Sequence, residues 1–216
     1  MASDQASRCQ EVVRQEDKEA RLDQFLGFYL DRLFADWEEQ PEQHQITIIA
    51  RSPASPVARA IMVNAEDIRN GGIHVRVLFA ELEPSEALSE WFDLVLNVQD
   101  VSTATTIDIR CTNNPALVDA HEQLVLGNEM SWSGDAMRRD PNVRDTIEIF
   151  DPCCPPTAKR STRSFDALWS MGRPIKIDRK RRKQDLAAQQ NLASDTIGLD
   201  AGNGHLRNGA IASTRH

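Results

Sequence analysis

Several features that mark other classes of protein are missing from this 216-residue sequence. It has no run of about 18 apolar residues, so we expect no membrane-spanning helix. Its first residues are polar and acidic and lack the pattern of a secretory signal, which favours a cytoplasmic protein. The four cysteines include no C-x-x-C pair with a matching pair downstream, and the acidic stretch near residue 140 lacks EF-hand spacing. We therefore predict reduced thiols, no metal site and no cofactor.

Charge of opposite sign dominates the two parts of the chain. Residues 1–151 hold 28 acidic and 13 basic side chains, a net charge of −15, whereas residues 152–216 hold 5 acidic and 12 basic, a net charge of +7. An acidic surface repels the phosphates of nucleic acid. Nucleic acid or an acidic partner is therefore expected to bind the C-terminal part. The candidate residues are five consecutive basic side chains: Arg179, Lys180, Arg181, Arg182 and Lys183. The alternative is a solvated tail that keeps an acidic body soluble.

The apolar pattern divides the chain into four segments. Residues 1–16 are predicted to be a disordered leader, and residues 17–151 to be a folded domain. Residues 152–171, which contain several prolines and two adjacent cysteines, form a segment that docks on this domain. Residues 172–216 are predicted to be a basic, disordered tail, because they offer too little apolar surface to fold alone.

The folded segment begins with the clearest helix signal in the sequence. Apolar residues between positions 17 and 39 recur at alternating spacings of three and four, which predicts an amphipathic N-terminal helix. They are Leu22, Phe25, Leu26, Tyr29, Leu30, Leu33, Phe34 and Trp37. We expect this stripe to pack on the core, the alternative being a surface that contacts a partner.

Strand and helix patterns then alternate along the chain. Strands are predicted at 45–50, 73–79, 106–111, 121–126 and 146–150, and helices at 57–70 and 86–92. Residues 94–96 are read either as a continuation of the second of these helices or as an edge strand. This alternation is typical of an α/β sandwich with a mixed, partly parallel sheet.

The order of these elements over about residues 44–151 resembles half of a phospholipase D-like protein. A strand and helix lead to Asn70-Gly71-Gly72 and the strand that follows it, and later to the stretch from His121 to Asp135. The superfamily carries a His-x-Lys-(four residues)-Asp motif followed by a strand that ends in glycine and serine. Here the same spacing reads His121-x-Gln123-(four residues)-Asn128, followed by Trp132-Ser133-Gly134-Asp135.

The resemblance implies a phosphate-binding site that has lost its charges. In the superfamily two halves meet, one histidine attacks phosphorus, and the other protonates the leaving oxygen. The lysine holds the phosphate and the aspartate orients the histidine. In this chain Gln123 and Asn128 put neutral amides at those places, and Asp135 puts a negative charge where serine is usual. The implied ligand-binding residues are thus His121, Gln123, Asn128 and Ser133, with His121 the one catalytic candidate.

Three functional hypotheses follow. The leading one is a non-catalytic phospholipase D-like half-domain that forms a homodimer and has a binding or regulatory role. The second is a divergent phosphodiesterase or nuclease that still uses His121. The third is an unrelated α/β interaction module whose partner surface is the helix at 17–39. If the resemblance holds, we expect the His121 strand to lie centrally, next to the strand at 73–79, whereas the third hypothesis predicts that the face of Phe25, Tyr29 and Phe34 is exposed.

Overall fold

The structure is a computed structural model that describes residues 9–14, 17–35, 44–82, 86–100, 105–112, 117, 120–137, 145–175 and 177. The chain divides into two compact units, Met1–Lys176 and Ile177–His216, and every element described below lies in the first. Its helices are α1 (Lys18–Ala35), α2 (Pro56–Val63), α3 (Ala65–Asn70), α4 (Glu86–Asp100) and α5 (Pro155–Met171). Its strands are β1 (Cys9–Arg14), β2 (Gln45–Ala50), β3 (His74–Phe79), β4 (Thr106–Cys111), β5 (His121–Leu126), β6 (Met130–Ala136), β7 (Asp145–Asp151) and β8 (Arg173–Pro174).

The strands of the described segments form one mixed sheet in the order β1-β7-β6-β5-β2-β3-β4-β8. β2, β3 and β4 run parallel to one another, and every other neighbouring pair is antiparallel. Parallel neighbours need a crossover connection, which α2 and α3 supply between β2 and β3 and α4 supplies between β3 and β4. The predicted α/β fold with a mixed, partly parallel sheet is confirmed.

Helices cover both faces of this sheet, so its central strands are buried on both sides. On one face, Phe25 of α1 packs edge-on against Phe150 of β7, and Trp91 of α4 packs edge-on against Phe79 of β3. On the opposite face, Leu78 packs with Phe165 of α5 in a buried apolar cluster. Successive strand residues point to opposite faces, which is why adjacent Leu78 and Phe79 contact different helices.

The N-terminal helix packs on the core, as the apolar stripe predicted. Phe25 and Tyr29 are buried, and Phe34, with 43% of its surface exposed, is half-exposed. The described helix ends at Ala35, so the predicted residues 36–39 lie outside the described residues. None of the helices in the described segments is both long and apolar enough to cross a bilayer.

Two helices differ in length from the sequence prediction. The helix predicted at 57–70 is divided at Asn64, whose side-chain amide donates hydrogen bonds to Oδ1 of Asp23 (2.6 Å) and to the carbonyl of Ala60 (2.9 Å). These contacts tie the break to α1. The helix predicted at 86–92 continues through residue 100, so residues 94–96 are helical and do not form an edge strand.

Each of the two chain ends that the sequence predicted to be disordered contains a strand. Residues 9–14 of the predicted leader form β1, which pairs along its whole length with β7. Residues 173–174 of the predicted tail pair with β4, and the N–H of Ile175 donates a 3.0 Å hydrogen bond to the carbonyl of Ile109. Both segments pair with strands that would otherwise be sheet edges, and this pairing uses backbone groups rather than an apolar pattern. The basic run Arg179–Lys183 lies outside the described residues.

Residues 155–171, most of the predicted docking segment, form the long helix α5. Phe165 is buried, and the guanidinium of Arg76 in β3 lies 4.9 Å from its ring centre and 4.6 Å from that of Trp169. Arg76 also donates to Oδ1 of Asp166 at 2.9 Å. The guanidinium of Arg110 in β4 also stacks on Trp169, at 4.5 Å from the centre of its ring. These contacts combine apolar burial with cation–π attraction, and they fix α5 on the sheet.

Candidate functional site

His121 lies at the end of the sheet that the carboxyl termini of the parallel strands form. β5 runs antiparallel to β2, with Gln123 opposite Ile49, so the start of β5 lies beside the C-terminal end of β2. β3 ends in register with β2, at Phe79. Open α/β sheets bind ligands at this edge, just beyond the carboxyl ends of the parallel strands. The strand of His121 is central in the sheet, as expected, but its neighbour is β2 and not β3, so that part of the prediction is wrong.

The imidazole of His121 is held by the backbone of the neighbouring strand. Its Nδ1 lies 2.7 Å from the carbonyl oxygen of Gly134 in β6. A carbonyl only accepts, so Nδ1 carries the hydrogen, and Nε2 of the neutral ring keeps its lone pair. The β5–β6 register shifts between His121 and Gln123, an irregularity that locally re-aims a side chain.

Gly134 can supply this carbonyl because it has no side chain. A Cβ atom at Gly134 would collide with the six-membered ring of Trp132. That indole is buried, and its Nε1 donates a 3.1 Å hydrogen bond to Oε2 of Glu148. Glu148 in turn forms an ion pair with Lys18 of α1 at 2.9 Å. A chain of buried contacts therefore runs from α1 to the carbonyl that orients His121.

The structure brings three of the four predicted ligand-binding residues to one region. Gln123 follows His121 by two residues on the same face of β5, and Ser133 of β6 is its register partner. Asn128 lies beyond the other end of the strand. The six residues of β5 span about 17 Å, so Asn128 is too far away to orient His121. This separation follows from the strand at 121–126, because an extended segment holds its two ends apart.

Two charged side chains at this end of the sheet, Glu122 and Arg51, already have partners. One carboxylate oxygen of Glu122 accepts the backbone N–H of Arg51 at 2.9 Å. The side chain of Arg51 lies 3.6 Å from a carboxylate oxygen of Glu81, and both groups are partly exposed to solvent. Such an exposed pair is weak, but the carboxylate still offsets the positive potential of the guanidinium. Arg51 therefore adds little uncompensated positive charge to this end of the sheet.

Cys111 ends β4 at the same edge of the sheet. Burial raises the pKa of its thiol, and nearby Arg173 lowers that pKa by a smaller amount. The thiol is therefore a poor nucleophile near neutral pH. Cys153 and Cys154 are free thiols. Within the described ranges, no group of three His, Cys, Asp or Glu side chains is placed to hold a metal ion.

Solved structures with a similar fold include two that match most of this chain. TrmBL2, described as an archaeal chromatin protein with a novel mode of DNA binding, is 12% identical with a TM-score of 0.52. The match covers 77% of this chain and 54% of TrmBL2, so this chain spans about half the length of that protein. Nuc, a phospholipase D family member from Salmonella typhimurium, is 14% identical with a TM-score of 0.50, over 79% of this chain and 99% of Nuc.

These likenesses show the fold. The chain has a phospholipase D-like α/β fold, and at this level of identity the comparison extends to no residue of the site. No protein-family model matches the sequence. A search of curated protein sequences also finds no significant match.

Proposed function

We propose that this chain is a non-catalytic phospholipase D-like half-domain that acts as a dimeric binding protein. The observation that carries the proposal is the position of Gln123. It lies two residues from His121 on the same face of β5, at the place where the superfamily motif has its lysine. A neutral amide there cannot neutralise the charge that develops on a phosphate during its transfer.

The surroundings of His121 strengthen this argument. Arg51, the basic residue nearest in sequence to the end of β2, has its guanidinium against Glu81. Hydrogen bonds to charged groups contribute about 1.5–3 kcal/mol each, so one lost lysine corresponds to roughly a tenfold to hundredfold loss in rate. A binding role does not require that stabilisation.

The homodimer follows from the one-motif architecture. A phospholipase D-like site uses two histidines that face each other, and this chain contributes one. A second copy would complete a ligand-binding cleft with the two His121 side chains opposed. Sedimentation equilibrium across a range of concentrations tests this, and a monomer at every concentration would rule out the dimer.

The test of the non-catalytic assignment is an assay on bis(4-nitrophenyl) phosphate and on single-stranded and double-stranded DNA. We expect no turnover by the native chain above that of His121→Ala. Gln123→Lys restores the missing charge and is the informative variant, with Asn128→Asp as its control at the far end of β5. Turnover by the native chain that disappears in His121→Ala would refute the proposal.

A divergent phosphodiesterase is the second candidate, and one observation favours it. The bond from Nδ1 of His121 to the Gly134 carbonyl leaves Nε2 with its lone pair, which is the state that a nucleophile or base requires. This candidate predicts turnover that is lost in His121→Ala. Turnover that is unchanged by that substitution would argue against it.

Nucleic acid is the partner class that we propose for the binding role. TrmBL2, which shares the fold, is described as binding DNA, and this chain carries five consecutive basic residues at 179–183. Binding through that run should weaken steeply with salt, because several Lys and Arg side chains release counterions together. Fluorescence anisotropy with a labelled duplex, for the full chain and for a truncation before residue 178, measures this. Binding that is insensitive to salt and survives truncation would place the DNA site elsewhere.

The unrelated interaction module has lost its support. It predicted an exposed face on α1, and two of the three aromatic residues of that face, Phe25 and Tyr29, are buried against the core.

A further inference from the structure

A cavity of about 410 Å³ lies at the end of the sheet opposite to His121, between the sheet and the start of α5. Its size falls within the range of small-molecule sites in proteins. On the sheet side the start of β2 and the end of β5 line the cavity. On the other side one stripe of α5 lines it. The lining residues are Gln45, Thr47, Val125, Gly127, Asn128, Pro155, Lys159, Thr162 and Arg163.

The α5 side of the cavity is basic. Lys159 and Arg163 are four residues apart, so they lie on the same side of the helix, one turn from each other. Both are exposed, and no carboxylate in the described part of the chain pairs with either. The one acidic residue of α5, Asp166, is directed away to Arg76. Two positive charges thus flank one opening on a chain whose net charge is −8.

The floor of the cavity contains a polar group that lacks a partner. Thr47 has 3% of its surface exposed, and its hydroxyl has no hydrogen-bonding partner among the residues that the structure describes. A buried hydroxyl without a partner costs about 1–3 kcal/mol, and native proteins seldom leave one unsatisfied. Because Thr47 lines the cavity, a ligand bound there would supply the missing partner.

The lining separates into an apolar and a charged part. Val125 and Pro155 provide apolar surface, whereas Lys159 and Arg163 provide two cations at the rim. A phosphate monoester carries close to two negative charges at neutral pH, which matches two cations better than a single carboxylate does. The apolar part suits an organic group attached to that phosphate.

We propose that this cavity is a binding site for a small phosphate monoester, with the phosphate between Lys159 and Arg163 and the organic group against Val125. It is a site separate from His121, because the length of β5 lies between them. The proposal does not depend on the function proposed above, since neither His121 nor the basic run at 179–183 contributes to it.

Calorimetric titration of the full chain with AMP, adenosine, inorganic phosphate and a short oligothymidine tests the proposal. We expect AMP to bind more tightly than either adenosine or inorganic phosphate, because only AMP fills both parts of the cavity. Arg163→Glu should weaken AMP binding at least tenfold. Arg160→Glu is the matched control, because it makes the same charge change on an exposed residue of α5 that does not line the cavity, and it should change the affinity less than threefold.

Thr47→Val separates the binding role of the hydroxyl from a structural one. The change keeps the shape and removes the unpartnered oxygen, so the thermal midpoint should stay the same or rise, while AMP affinity falls severalfold. A Thr47→Val protein with raised stability and unchanged AMP affinity would overturn the role of that hydroxyl.

Three results would overturn the site itself. One is an absence of heat and of any thermal shift with millimolar AMP and millimolar phosphate. Another is an equal loss of AMP affinity in Arg160→Glu and Arg163→Glu, which would indicate a diffuse basic surface. The third is binding of oligothymidine without binding of AMP, which would assign the basic stripe to a nucleic-acid backbone and not to a cavity ligand.

Discussion

Replacing Gly134 with alanine tests the link between the buried core and His121. The new Cβ would overlap the six-membered ring of Trp132, and this ring cannot move aside without straining its 3.1 Å hydrogen bond to Glu148. Overpacking of this kind costs about 1–3 kcal/mol, and loss of a hydrogen bond to a charged group costs about 1.5–3 kcal/mol more. Alanine in a strand interior recovers about 0.5–1 kcal/mol relative to glycine.

We therefore expect Gly134→Ala to lower the free energy of unfolding by about 2–4 kcal/mol, a large share of the 5–15 kcal/mol that is typical of a folded domain. Urea denaturation followed by tryptophan fluorescence measures this. Gly27→Ala is the matched control, because a Cβ at that position in α1 meets nothing within 4 Å, and it should leave stability equal or higher by up to about 1 kcal/mol.

A double-mutant cycle with Trp132→Phe isolates the clash. Phenylalanine lacks the fused six-membered ring of the indole that the Cβ of Gly134→Ala would strike. The alanine should therefore cost at least about 1 kcal/mol less in that background. Displacement of the residue 134 carbonyl should also alter the ¹⁵N signal of Nδ1 in His121. A cost below about 0.5 kcal/mol, or the same cost in both backgrounds, would show that the alanine does not clash with Trp132.

Three further predictions concern the same fold. Lys18→Met should lower the free energy of unfolding by about 3–5 kcal/mol in urea melts, because it leaves Glu148 as a buried charge. The double variant Lys18→Met/Glu148→Gln should recover most of this loss, and an additive loss would contradict the prediction. Iodoacetamide at pH 7 should modify exposed Cys153 before Cys111, and the rate at Cys111 should increase as the pH rises toward its raised pKa, as peptide mapping by mass spectrometry would show. Deletion of residues 178–216 should leave the thermal midpoint nearly unchanged, whereas a deletion that also removes β8 should lower it; equal midpoints would show that β8 contributes nothing.

Local sequence patterns were sufficient for the elements with a strong apolar periodicity. The stripe of α1, the strands β2 to β5 and β7, and the positions of α2 and α4 were predicted, because each depends on side chains within a few residues of one another. The resemblance to the phospholipase D-like fold came from the same order, and the structural comparison with Nuc supports that fold.

The tertiary structure alone decided which of these elements meet. β5 pairs with β2, which separates it from β3, since strand order and direction depend on contacts distant in sequence. β1 and β8 carry no apolar signal, and they are ordered because the sheet edges offer them backbone hydrogen bonds. The cavity beside α5 joins residues more than a hundred positions apart, so no local pattern contains it. The sequence determined the chemistry of His121 and Gln123, and packing determined their surroundings.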